Sequence, residues 1–140
     1  MTSYEPEVLG GDEDNGTMEQ NVSELTDAVV GHKIVSAGKA TVPGRWGDET
    51  FSMVLTLDNG ERVILEDTGD CCAYTELKAF LLHPENIDHV ITGVGTTGGF
   101  TTWHIYADMG DVLELAVSWS AGNPFYYGYG FSIRVQPVTE

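Results

Sequence analysis

Along most of this chain, apolar residues recur at every second position, the repeat of a β-strand with one buried face. From Thr50 to Leu57, Phe51, Met53, Leu55 and Leu57 share one face, with Ser52 and Thr56 on the other. Thr101 to Asp108 carries Trp103, Ile105 and Ala107 on one face, and Val112 to Ser120 carries Leu113, Leu115, Val117 and Trp119. The longest run, Phe125 to Val135, sets Phe125, Tyr127, Tyr129, Phe131, Ile133 and Val135 against Tyr126, Gly128, Gly130, Ser132 and Arg134. His32 to Val42, Glu61 to Glu66 and Ile87 to Val94 complete the set.

Short turns separate these segments: Asp58-Asn59-Gly60, Met109-Gly110-Asp111 and Gly122-Asn123-Pro124. Strands joined so closely must pair antiparallel. Register follows at the first of these turns. A three-residue loop with Gly60 left-handed places Leu55 opposite Val63 and Met53 opposite Leu65, whereas a two-residue loop would set Leu57 against Arg62. The stretch Asp70 to Leu82 reads differently. Ala73, Leu77, Phe80 and Leu81 fall at helical spacing, Asp70 or Thr75 offers a cap, and His83-Pro84 a stop. The expected fold is therefore α+β and mainly β. It is a curved antiparallel sheet of about seven strands, or two sheets, with one short helix after the third strand.

The chain has 140 residues, 22 Asp and Glu against six Lys and Arg, and a formal net charge of -16. That length suits a single domain. The charge is uneven, because residues 1–27 hold eight acids and no base. Residues 1–25 are expected to form an acidic, flexible tail, and residues 26–140 one β-rich domain. So negative a chain is not expected to bind nucleic acid through its phosphates. No apolar run is long enough for a membrane span and the N-terminal residues do not resemble a secretory signal, so a cytoplasmic protein is expected. Cys71 and Cys72 are adjacent and form no disulfide framework, which agrees with a reducing compartment.

Several groups are candidates for chemistry. Cys71 and Cys72 with His83, His89 or His104 could supply a thiol or metal site, but the spacing matches no standard zinc pattern. Gly93-Val94-Gly95-Thr96-Thr97-Gly98-Gly99 lacks the Lys-Ser/Thr ending of a phosphate loop and reads as a mobile hairpin loop. Glu66, Asp67 and Asp70 form one carboxylate cluster, and Asp108, Asp111 and Glu114 another; each could hold a divalent cation, but neither matches the twelve-residue calcium loop and both read as solvated acidic surface. Trp46, Tyr126 and Tyr106 lie off the main apolar stripe, where aromatic groups meet partners.

The segment Glu66-Asp67-Thr68-Gly69-Asp70-Cys71-Cys72-Ala73 resembles a family of small phage-encoded proteins of unknown function, frequent in phages of actinobacteria. The wording Leu57-Asp58-Asn59-Gly60-Glu61, the strand around Trp103 and the closing Tyr126-Tyr127-Gly128-Tyr129-Gly130-Phe131 share in the likeness, which covers about residues 29–136. In such proteins an acid often follows the two cysteines, where this chain has Ala73. The resemblance implies a fold and a phage origin, and no established activity.

These readings lead to a non-enzymatic protein that binds a host or phage protein with a basic surface, in one version by imitating DNA's rows of phosphates. Glu5, Glu7, Asp12, Glu13, Asp14, Trp46 and Tyr126 are the candidate binding residues. No cofactor, metal or direct nucleic-acid contact is expected. The alternatives are a thiol or metal domain built on Cys71, Cys72 and His83, or a minor virion component.

Overall fold

A computed structural model describes residues 16–43, 49–69, 73–121 and 129–136. Among them, two antiparallel sheets pack together with one helix. The helix α1 (Thr17–Val29) leads into β1 (Ile34–Pro43), β2 (Glu49–Leu57), β3 (Arg62–Glu66), the two-residue β4 (Thr68–Gly69), β5 (Tyr74–Leu82), β6 (Ile91–Thr97), β7 (Thr102–Ala107), β8 (Gly110–Ser120) and β9 (Ser132–Gln136). The first sheet has the order β1-β2-β3-β9 and the second β4-β5-β8-β7-β6. The single curved sheet is thus replaced by two, joined where β3 passes into β4 and where the chain returns to β9.

The turn register is the expected one. Leu55 pairs with Val63 and Met53 with Leu65, and Gly60 sits at φ 88°. The Gly60 N–H donates to Leu57 O (3.0 Å) and the Glu61 N–H to Asn59 Oδ1 (3.0 Å). This leaves Met53, Leu55, Leu57, Val63 and Leu65 buried together.

Two expectations are corrected. Residues 74–82 form a strand where a helix is expected, and among the described residues the one α-helix lies elsewhere. A bulge at Lys78 steps the pairing from Leu77–Val117 to Ala79–Ala116. Ala73, Thr75 and Leu77 point inward before it, and Phe80 and Leu82 pack on the core after it. The bulge stretches one step of the period to three, and that irregularity imitated helical spacing. The helix instead precedes β1, so residues 17–25, expected in the tail, are folded. Met18, Asn21, Leu25 and Val29 form its buried face. Asn21 in that face hid the helical period. At the other glycine-rich segment, residues 93–97 belong to β6, and the turn is confined to residues 98–101.

The core runs between the sheets. It holds Met18, Leu25 and Val29 from α1, Leu55 and Leu65 from the first sheet, and Trp103, Ile105, Leu113 and Leu115 from the second. Aromatic rings close one side. Trp103 meets Phe131 edge-on at 5.4 Å, and Trp119 stacks on Tyr129 at 5.8 Å. Their indole N–H groups donate to Phe100 O (2.9 Å) and Gly99 O (2.8 Å). Buried Asn21 serves Phe131 on both sides: its Nδ2 donates to Phe131 O and the Phe131 N–H donates to its Oδ1, each at 2.9 Å. Replacing Asn21 with Ala strands a buried N–H and C=O. Asn21→Ala should lower unfolding stability by about 1–3 kcal/mol, measured by urea denaturation. A loss within error of zero would contradict this account of the helix.

Candidate functional site

Five segments meet at one end of the molecule, and hydrogen bonds tie them together. The Gly31 N–H donates to Ile91 O (3.0 Å) and the Ile91 N–H to His32 O (2.8 Å), joining the end of α1 to the start of β6. The Asp58 N–H donates to Lys33 O (2.9 Å), adding the β2–β3 turn. His89 Nδ1 lies 3.0 Å from Asp108 Oδ1, and Asn86 Nδ2 donates to Asp111 O (2.8 Å), adding the β7–β8 turn and the 3-10 turn Pro84–Asn86.

Acids dominate this end. Asp27, Asp58, Glu85, Asp88 and Asp108 are exposed there, with Glu61 and Asp111 partly so. Lys33 and the exposed Arg62, next to Glu61, are the Lys and Arg of these segments. Asp27 lies in the last turn of α1, which carries no base, so it faces the negative end of the helix dipole uncompensated. Exposed apolar side chains sit among the acids: Val30, Val90 and Met109, the last 68% exposed.

Beside this rim, on the outer face of the second sheet, lies a cluster of imidazoles and carboxylates. His104 on β7 pairs across the ladder with Glu114 on β8. A bulge at Val112 steps the register from Ile105–Leu113 to Tyr106–Asp111, so Asp111 turns to the same face as Glu114. His104 is only 7% exposed. Its Nδ1 stands 2.9 Å from Asp111 Oδ2 and 3.7 Å from Glu114 Oε1, and its Nε2 is 2.9 Å from Thr97 Oγ1. The other Glu114 oxygen, Oε2, is 2.9 Å from His83 Nε2, and His83 Nδ1 is 3.4 Å from Glu85 Oε1. Next to it, Ala79, Leu81, Thr102 and Ala116 line a shallow depression. Tyr106 lies on the same face across Gly93, where a Cβ would come within 2.6 Å of the Tyr106 Cζ.

The hydrogen bond to Glu114 holds the His83 imidazolium and raises its pKa, against an opposing effect of burial. Burial raises the Asp67 carboxyl pKa, opposed by the hydrogen bond that Oδ1 accepts from the Leu77 N–H (3.1 Å).

Of the sequence candidates, Glu5, Glu7, Asp12, Glu13, Asp14, Trp46, Cys71, Cys72 and Tyr126 lie outside the described residues. His83 falls beside the cluster. Of the two carboxylate groups, Asp111 and Glu114 converge on His104, while Asp108 turns to His89. In the sequence, His104 groups with the cysteines as a candidate ligand and Asp111 with the Met109-Gly110-Asp111 turn. Nothing in the local pattern signalled the bulge that unites them.

Residues 27–133 match a family described as Domain of unknown function (DUF7448). The chain belongs to this family. No curated protein and no solved structure matches it. Among the described residues, no helix is long and apolar enough to cross a membrane.

Because the folded His83 pKa is raised, the stability gained from its pair is fully present below the ordinary imidazole pKa. It is lost as pH rises through the raised value. Glu114→Gln should move the His83 titration, followed by NMR, down toward the ordinary imidazole range, and should flatten that part of the stability–pH curve. An unmoved His83 titration would contradict the assignment to Glu114.

Proposed function

We propose that this DUF7448 protein is a phage-encoded, non-enzymatic binding factor whose acidic end docks on a basic surface of a host protein and modulates it. The observation that carries this reading is the rim itself. Seven acids from five segments converge on one end against one Lys and one Arg, Lys33 and Arg62, and Val30, Val90 and Met109 offer apolar contact among them. Asp27 stands where the helix dipole disfavours it, a local cost that a binding role accounts for. Charge of this kind steers encounter and suppresses wrong partners, while the apolar tips supply desolvated contact. Five further acids, Glu5, Glu7, Asp12, Glu13 and Asp14, precede the helix in sequence and add to the chain's net negative charge. Imitation of DNA's phosphates is the sharper form of the proposal, and it requires the partner to be a nucleic-acid-binding protein.

The test is affinity capture from host lysate, followed by quantitative binding to the protein recovered. The variant Asp27→Asn/Asp88→Asn/Asp108→Asn should bind roughly tenfold more weakly, and Val90→Ser/Met109→Ser should dissociate faster. Affinity for the wild type should fall steadily between about 0.05 and about 0.5 M salt. A partner held equally by both variants and indifferent to salt would refute docking by this end.

A further inference from the structure

At the β7–β8 hairpin, donor atoms of three side chains converge on one point. One nitrogen and two carboxylates, from His104, Asp111 and Glu114, each offer an atom within 4.8 Å of the others. Ligands about 2.0–2.2 Å from a tetrahedral zinc ion stand about 3.3–3.6 Å from one another. The separations here, 2.9 Å from His104 Nδ1 to Asp111 Oδ2 and 3.7 Å from it to Glu114 Oε1, bracket that range. We propose that His104 Nδ1, Asp111 and Glu114 together bind one divalent transition-metal ion of the zinc class.

The surroundings are those of a ligand set held in place. Thr97 Oγ1 lies 2.9 Å from His104 Nε2. When that nitrogen carries the proton and donates it to Thr97, Nδ1 is left as a bare lone pair facing the two carboxylates. A hydroxyl both accepts and donates, so it serves the ring in either state. His83 holds Glu114 Oε2 at 2.9 Å, leaving Oε1 toward His104. A ring that is 7% exposed cannot swing away to solvent. Mixed imidazole and carboxylate donors suit zinc and its neighbours better than calcium, which prefers oxygen alone. Three protein ligands leave a position for water or for a group from outside. The site uses none of the exposed rim acids except Asp111, so it stands or falls separately from docking.

The experiment is calorimetric titration of the full chain with zinc chloride after chelator treatment, with calcium chloride as the comparison. One equivalent of zinc should bind, and calcium should bind at least tenfold more weakly. Asp111→Asn and Glu114→Gln, checked for native circular dichroism, should each lose the zinc equivalent. Cys71→Ser/Cys72→Ser should keep it. In NMR spectra of the imidazole nitrogens, zinc should move His104 Nδ1 before it moves His32 or His89. Thr97→Val should weaken binding about tenfold or more, and Thr97→Ser should restore it. Absence of stoichiometric zinc, zinc lost only with the cysteines, or zinc retained by both carboxylate variants would overturn the proposal.

Discussion

Where the chain enters its last strand, at Gly130 and Phe131, its peptide groups are buried and must find partners away from water. Three elements supply them. The Gly130 N–H donates to Thr75 Oγ1 (2.6 Å), Gly130 O accepts from Thr68 Oγ1 (2.7 Å), and Asn21 takes both polar groups of Phe131. Those side chains come from β5, β4 and α1, while β9 itself completes the first sheet. This crossing therefore ties the helix and both sheets to one stretch of backbone. The Phe131 ring, packed edge-on against Trp103, brings the core to the same point. A helix with no capping side chain at its start gains its order from this docking rather than from its own ends.

Bulges decide which residues share a face. At Lys78 the bulge returns Phe80 and Leu82 to the core after an outward step. At Val112 it buries two successive side chains, Val112 and Leu113, and re-aims Asp111 outward beside His104. Without that extra residue, Asp111 would point to the same side as Leu113, into the core. The outer cluster thus exists because one strand carries one residue more than its partner.

Scarcity of Lys and Arg shapes the electrostatics. With 22 acids and six such bases in the chain, histidine takes over part of the pairing. All four histidines stand beside carboxylates: His32 with Asp58 (3.3 Å), His83 with Glu114, His89 with Asp108 and His104 with Asp111. His32 and His89 stitch the loops of the acidic rim, whereas His83 and His104 sit on the sheet face. The same pairing that holds the loops in place leaves most rim carboxylates turned to solvent.

The alternation of Met53, Leu55 and Leu57 and the turn at Asp58-Asn59-Gly60 were enough to set a strand pair and its register, since both are local properties of backbone and side-chain period. So were the strands around Trp103 and Leu115. The partition into two sheets, the helix at Thr17–Val29 and the meeting of His104 with Asp111 and Glu114 were decided only in three dimensions. Each depends on a partner distant in sequence: Asn21 becomes a core residue because Phe131 needs its amide, 110 residues away. Asp111 becomes a neighbour of His104 because a bulge breaks the very period from which faces are read.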